Sequence, residues 1–304
     1  MAEGFEVIIN CAAGGEPDAE AGRAIVGAFD ACGAHARVRF ARDGSELTEL
    51  ARAAVSNGAR AVVAGGGDGT VSAVASALVG TNKALGVLPL GTLNHFAKDL
   101  SIPLEVKEAA RNVCEGRAVL VDVAEVNGRV FINNSGLGLY PHIVRRREKL
   151  QERGSAGKWA AFMRAALATL KRYPFMNVRL SADGRGIVRR TPFVFVGNNE
   201  YEVEGTRIGA RQRLDEGRLS LYVAHRTGRL GLLRLALRAL FGRLRRAKDF
   251  DALDAEEIWV ETRRPKRLYV ATDGEVNVMT TPLHYRVRPK ALRVIVPNEV
   301  TSGE

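Results

Sequence analysis

Ala61-Val-Val-Ala-Gly-Gly-Gly-Asp-Gly-Thr70, followed by Val71-Ser-Ala-Val-Ala-Ser-Ala-Leu78, is the stretch on which the reading of this chain turns. An apolar run of strand length empties into four glycines and an aspartate, and a helical pattern then opens with Thr70 at or near its N-cap. Glycine lets the backbone approach a ligand closely, and the unpaired N–H groups at a helix start attract anions. Phosphate binding follows from that chemistry. The spacing matches neither GxxxxGKS/T nor GxGxxG. Asp68 would repel a phosphate unless a cation or a hydroxyl lay between them. A tight strand-to-helix turn with the aspartate as a cap satisfies the same local pattern.

Around this stretch, short β-branched runs at 7–10, 38–40, 61–65, 85–90 and 119–126 alternate with helix-compatible segments near 18–32, 45–57, 70–80 and 104–115. That alternation predicts an α/β domain over 1–122, a mainly parallel sheet flanked by helices. From about residue 123 the runs are short, β-rich and punctuated by Gly, Asn, Asp or Pro. They predict an antiparallel β-sandwich over 123–296, interrupted by helical segments near 155–172 and 229–246, with the tail 297–304 free to return to the first domain.

The 304 residues suffice for two cores, and 46% hydrophobic with 26% charged content excludes disordered and fibrous classes. A formal charge of +11 favours anionic partners without choosing among them. No apolar run is long enough to span a membrane and no signal peptide is apparent, so a cytoplasmic protein is expected. Cys11, Cys32 and Cys114 show no metal or redox spacing and read as reduced, structural thiols.

Four further motifs join the glycine stretch: Leu88-Pro-Leu-Gly-Thr-Leu-Asn-His-Phe-Ala-Lys98, Phe195-Val-Gly-Asn-Asn199, Leu214-Asp-Glu-Gly-Arg-Leu219 and Thr272-Asp-Gly-Glu275. With GGDGT they resemble, in the same order, the motifs of the diacylglycerol kinase-like lipid kinases, which are related to sphingosine kinases and more distantly to NAD kinases. The resemblance implies that Gly66, Gly67, Asp68, Gly69 and Thr70 bind the phosphates of ATP. In the second loop, Gly91 permits close approach, while Thr92 and Asn94 can hydrogen-bond phosphate or ribose; a plain turn before a helix is the bland alternative. Asn10-Cys-Ala-Ala-Gly14 resembles the family's NPxxG loop, so Asn10 and Gly14 join the nucleotide set. Cys11 replaces its proline, and Ala41 stands where many members carry a nucleotide-contacting threonine. His95 stands where the family has Asp and reads as a surface or helix-start residue.

Asp273 and Glu275 are the expected catalytic carboxylates, one accepting the acceptor's proton and the other orienting its partner or binding metal. Without the resemblance, Asp273-Gly274 reads as an ordinary hairpin turn. The resemblance further implies a Mg2+ site from the Glu216 carboxylate and the carbonyls of Arg213 and Arg218, beside Asp215. Oxygen ligands of this kind suit magnesium.

Residues 229–246 place leucines on one helical stripe and arginines on another, a pattern that can dock on an anionic membrane surface or pack its leucines on the protein. Arg145–Arg147, Arg164, Lys171 and Arg172 add further positive charge. Val130–Ile132 and Phe193–Val196 are candidates to line an acyl-chain pocket. The sequence therefore points to a peripheral lipid kinase acting on a diacylglycerol-like or sphingoid-like hydroxyl, with a homodimer left open. The alternatives are an NAD kinase-like enzyme with a soluble acceptor and a non-catalytic membrane-binding protein on the same fold. Arginines without interleaved aromatics argue against nucleic acid.

Overall fold

The computed structural model describes residues 4–11, 19–139, 141, 175–202, 210–224 and 250–298. The helical segments predicted at 155–172 and 229–246, the basic clusters within 145–172 and Gly14 lie outside them. The chain divides into two compact units. One runs through Val123 and takes in the stretch from Pro289, and the other is Ala124–Arg288.

The first unit alternates β1 (Phe5–Asn10), α1 (Ala19–Asp30), β2 (Ala36–Ala41), α2 (Gly44–Ser56), β3 (Ala61–Gly66), α3 (Asp68–Leu78), β4 (Ala84–Pro89), α4 (His95–Asp99) and α5 (Val106–Glu115), and then enters β5 (Arg117–Val126). Strands β2, β1, β3 and β4 lie side by side in that order, all parallel. Parallel strands covered on both faces read as continuous apolar runs, and every residue of β3 is buried. Phe5, Ile25, Phe29, Val63, Leu88 and Val113 share one core, with the Phe5 and Phe29 rings 5.3 Å apart.

Local chemistry sets the helix ends. Asp43 caps α2 by accepting from the Glu46 amide at 2.9 Å, and Glu105 caps α5 in the same way through Glu108. The order β2-β1-β3-β4 reverses direction between β1 and β3, and ligands of open α/β sheets bind beyond the carboxyl ends of strands at such a switch point. Asn10 and Gly66 end those two strands.

The second unit adds β6 (Arg129–Phe131), β7 (Asn134–Gly138), β8 (Met176–Ala182), β9 (Arg185–Thr191), β10 (Phe193–Asn198), β11 (Leu219–Ala224), β12 (Phe250–Ala255), β13 (Glu257–Thr262), β14 (Arg267–Thr272), β15 (Glu275–Thr280) and the first half of β16 (Leu283–Val296). One antiparallel sheet runs β12-β11-β10-β7-β14-β15, and β16, β13, β8 and β9 are consecutive neighbours in the other. Leu137, Val194, Val196, Leu221 and Val270 from the first meet Leu180, Ile258, Val260 and Tyr285 from the second in a single core. This is the predicted β-sandwich.

Two local readings change. Val194, Val196 and Phe131 belong to the sandwich core rather than to an acyl pocket. Period-two alternation puts Phe195 on the opposite face, where its ring meets Tyr201 and Tyr222 at 5.5 and 5.9 Å. Strand β16 continues through Pro289 and a left-handed Lys290 (φ 52°), whose amide donates to Asp122 at 2.8 Å. Beyond that bend Arg293 and Val294 pair in parallel with Ala84 and Leu85, so this half-strand serves the first unit. Among the described residues, no helix is long and apolar enough to cross a membrane.

Candidate active site

In the first unit the glycine stretch ends β3 at Gly66 and opens α3 at Asp68. Gly67 begins α3 with no side-chain cap, so the amides of Asp68, Gly69 and Thr70 precede the first helical bond, from Val71 N to Gly67 O at 3.1 Å. Three N–H groups and the positive end of an 11-residue helix therefore collect at the carboxyl end of β3. The glycines serve different ends. A Cβ on Gly66 would stand 2.4 Å from the Thr70 hydroxyl oxygen, and one on Gly91 2.4 Å from the Gly67 Cα. Gly66 leaves room for Thr70 in the first turn of α3, and Gly91 lets the loop after β4 touch the loop after β3. Among the described residues, nothing lies within 4 Å of the place a Cβ on Gly69 would take, and Gly69 is not left-handed.

Asp68 and Asn94, expected to face the nucleotide, are engaged within the loops. The Asp68 carboxylate accepts from His95 N at 3.2 Å and Phe96 N at 3.1 Å, capping α4 rather than its own helix. The charge of this carboxylate is thereby turned onto the next helix start. Asn94, buried and left-handed at φ 50°, accepts from Gly91 N and donates to the carbonyls of Pro89 and Gly91. Asn10 donates to the Thr70 hydroxyl at 3.3 Å, so the β1 end supports the helix start. Ala41, paired with Asn10 across β1 and β2, is fully buried. Thr92 and His95 are exposed.

In the second unit Thr272 pairs with Glu275, and Asp273-Gly274 forms a two-residue hairpin with positive φ at both positions (47° and 89°). This Asp-Gly turn is the hairpin the local sequence predicted, and it also aims a carboxylate. Asp273 Oδ2 accepts from Ile132 N at 2.7 Å, and Oδ1 accepts from Asn133 N at 2.8 Å and Asn134 N at 3.0 Å. Asp273 N donates back to Asn134 O at 2.9 Å. Glu275 is exposed and pairs with Arg129, which also donates to the Thr272 hydroxyl at 3.1 Å. Backbone amides hold Asp273, and a guanidinium meets Glu275.

The 213–218 turn supplies oxygens of the kind magnesium takes. Glu216 is half-buried, and its amide donates to the Asn199 side-chain oxygen at 3.2 Å. The Arg218 carbonyl accepts from Asn199 N at 2.9 Å and offers its remaining lone pair. Asp215 is held by the Arg213 guanidinium at 3.0 and 3.2 Å. Among the described residues no group of three or more His, Cys, Asp or Glu could hold a metal. One carboxylate beside backbone carbonyls is the kind of donor set that a magnesium ion keeping several waters takes.

Arg211, Asn133 and Asn134 were not singled out in the sequence. Asn133 and Asn134 lie between recognisable motifs in an FINNSG run, and nothing in the sequence marks Arg211 as buried.

Comparison with known proteins follows the same division. The diacylglycerol kinase catalytic domain family model matches residues 5–126, and that of the YegS C-terminal NAD kinase β-sandwich-like domain matches residues 144–296. A Pseudomonas aeruginosa protein named "Probable lipid kinase YegS-like" is 30% identical over 284 residues, covering 90% of this chain and 89% of its own. A protein of the same name from Cronobacter sakazakii is 28% identical over 274 residues, 86% of each chain. A crystal structure described as a diacylglycerol kinase from Bacillus anthracis str. Sterne shares the fold at a TM-score of 0.71 and 22% identity, covering 98% of both chains.

Proposed function

The chain belongs to the YegS-like lipid kinase family, built on the diacylglycerol kinase catalytic domain, and from that premise we propose that it transfers the γ-phosphate of ATP to a hydroxyl of a diacylglycerol-like or related lipid. The observation that carries the donor half is Gly69, which among the described residues has nothing within 4 Å of its would-be Cβ and stands in the uncapped first turn of α3. Phosphate oxygens would rest on the Asp68, Gly69 and Thr70 amides, with Thr92 beside them. Asp68, Asn94 and Asn10 act by holding that backbone in place.

Phosphoryl transfer passes through a loose transition state in which the attacking hydroxyl keeps its proton until late, so the proton acceptor needs position more than basicity. A half-buried Asp273 fixed by three amides meets that need better than an exposed Glu275 paired with Arg129. We therefore assign Asp273 as the proton acceptor, with Glu275 orienting Arg129. Glu216 and the carbonyls of Arg213 and Arg218 would hold Mg2+, which supplies neutralisation of phosphate charge. The basic amphipathic segment 229–246, outside the described residues, is the proposed contact with an anionic membrane surface.

The test is to incubate the purified protein with γ-labelled ATP, magnesium, and separately lipid vesicles containing diacylglycerol, NAD, or sugars. Label in the lipid phase supports the assignment. Label confined to NAD or a sugar replaces it with a soluble acceptor, and label in no acceptor moves the reading to a binding protein.

A further inference from the structure

We propose that Arg211 is a positioning residue for Asp273, acting through the peptide group that joins Ile132 to Asn133; this rests on the proposed role of the Asp273 turn. Arg211 is 3% exposed. Burying a guanidinium is costly unless its donors are used. Its Nη1 donates to Ile132 O at 2.7 Å and Asn198 O at 3.1 Å, its Nη2 donates to Asn133 Oδ1 at 2.6 Å, and its Cζ lies 5.3 Å from the centre of the Tyr201 ring.

On the other side of the same short segment stands Asp273. The Ile132 carbonyl, pulled by Arg211, and the Asn133 N–H, given to Asp273, are the two ends of one peptide group. A trans peptide is planar, so turning one end turns the other. Arg211 therefore fixes the direction in which the Asn133 amide points. A peptide dipole held between a cation and a carboxylate is also polarised toward the carboxylate, which strengthens that hydrogen bond. Asn198 reinforces the arrangement, its Nδ2 donating to Ile132 O at 3.0 Å and its amide to Asn133 O at 2.9 Å. The planar fork is what the site uses: two carbonyls and a side-chain oxygen are reached from two nitrogens, and a lysine ammonium cannot span them in the same geometry.

The experiment compares Arg211→Met, Arg211→Lys, Asp273→Asn and the double variant Arg211→Met/Asp273→Asn, with activity expressed per folded molecule. Arg211→Met is expected to lower kcat more than tenfold with the KM for ATP unchanged, because the nucleotide loops belong to the first unit. Arg211→Lys should recover part of that loss. The double variant should be no slower than Asp273→Asn alone, since residues acting as one device are not additive. An Arg211→Met enzyme with unaltered kcat, or effects of Arg211 and Asp273 that multiply independently, overturns the proposal. If Arg211→Met does not fold, Arg211→Lys decides: the amide signals of Ile132, Asn133 and Asn134 should shift together with a fall in kcat, and a shift without that fall overturns it. An active Asp273→Asn enzyme rejects the assignment of the turn itself, whereas an inactive Asp273→Asn beside a fully active Arg211→Met rejects only the positioning role.

Discussion

The carboxylate of Asp68 ends on the amides of His95 and Phe96, 3.2 and 3.1 Å away, so the loop after β3 holds the start of the helix that follows the loop after β4. Replacing it by alanine removes a helix cap worth about 0.5–2 kcal/mol. We predict that Asp68→Ala lowers the melting temperature by a few degrees and raises the KM for ATP about tenfold or more. Asp68→Asn, keeping one acceptor oxygen, should fall between. Calorimetry and steady-state kinetics check both, and an unchanged KM would detach Asp68 from the nucleotide site.

The glycines separate by cause. Gly66→Ala and Gly91→Ala each force a Cβ to 2.4 Å from a neighbouring atom and should destabilise the first unit by about 1–3 kcal/mol, the usual cost of overpacking. Gly69→Ala meets no atom of the described residues, so its melting temperature should stay near that of the parent while ATP affinity falls. Denaturant melts beside ATP titrations measure the contrast. Equal affinity in Gly69→Ala and the parent would mean that no phosphate lies against that position.

The turn carboxylates also part company. Asp273→Asn puts an amide NH2 against backbone donors and removes the proposed proton acceptor, so kcat should fall about a hundredfold or more while ATP binding is retained. Glu275→Gln loses an exposed ion pair worth about 0–1 kcal/mol and should leave the melting temperature almost unchanged. Single-turnover transfer rates distinguish them. A larger kinetic loss in Glu275→Gln than in Asp273→Asn would exchange their roles.

Much of this architecture could be read from the sequence because its signals are local. The apolar run of β3, the glycines behind it and the Asp273-Gly274 pair each encode their own conformation. The duties of Asp68 and Asn94 were not legible in the same way. Each side chain spends its hydrogen bonds on backbone groups, and Asp68 does so 27 and 28 residues away, a pairing that only the adjacency of β3 and β4 creates. Strands β9 and β12 carry a weaker local signal. RGIVRRT and FDALDA alternate charge with small or apolar residues too sparsely for a strand signal, and their partners β8 and β11 define them. Arg211 escaped because a lone arginine ordinarily reads as surface charge.

Burial, and then the neighbouring Cys32 thiol, push Cys114 up to about 12, against about 8.5 for a free thiol. The raised value favours the protonated form in the native state. Any stability this contributes is present below the unfolded-state value and is lost as pH rises toward 12. At pH 9.5 the unfolded chain should be alkylated rapidly at all three cysteines, whereas native Cys114 should react far more slowly; mass mapping after a short iodoacetamide pulse reads this out. Equal labelling of Cys114 in native and unfolded protein would contradict the assignment.

If triphosphate oxygens rest on the helix-start amides after β3, an amide-resolved NMR titration of the protein with ATP and magnesium should show saturable shifts of the Asp68, Gly69 and Thr70 amides at one common dissociation constant, weakened in Gly69→Ala. Saturable ATP binding that leaves those three amides unmoved would contradict it.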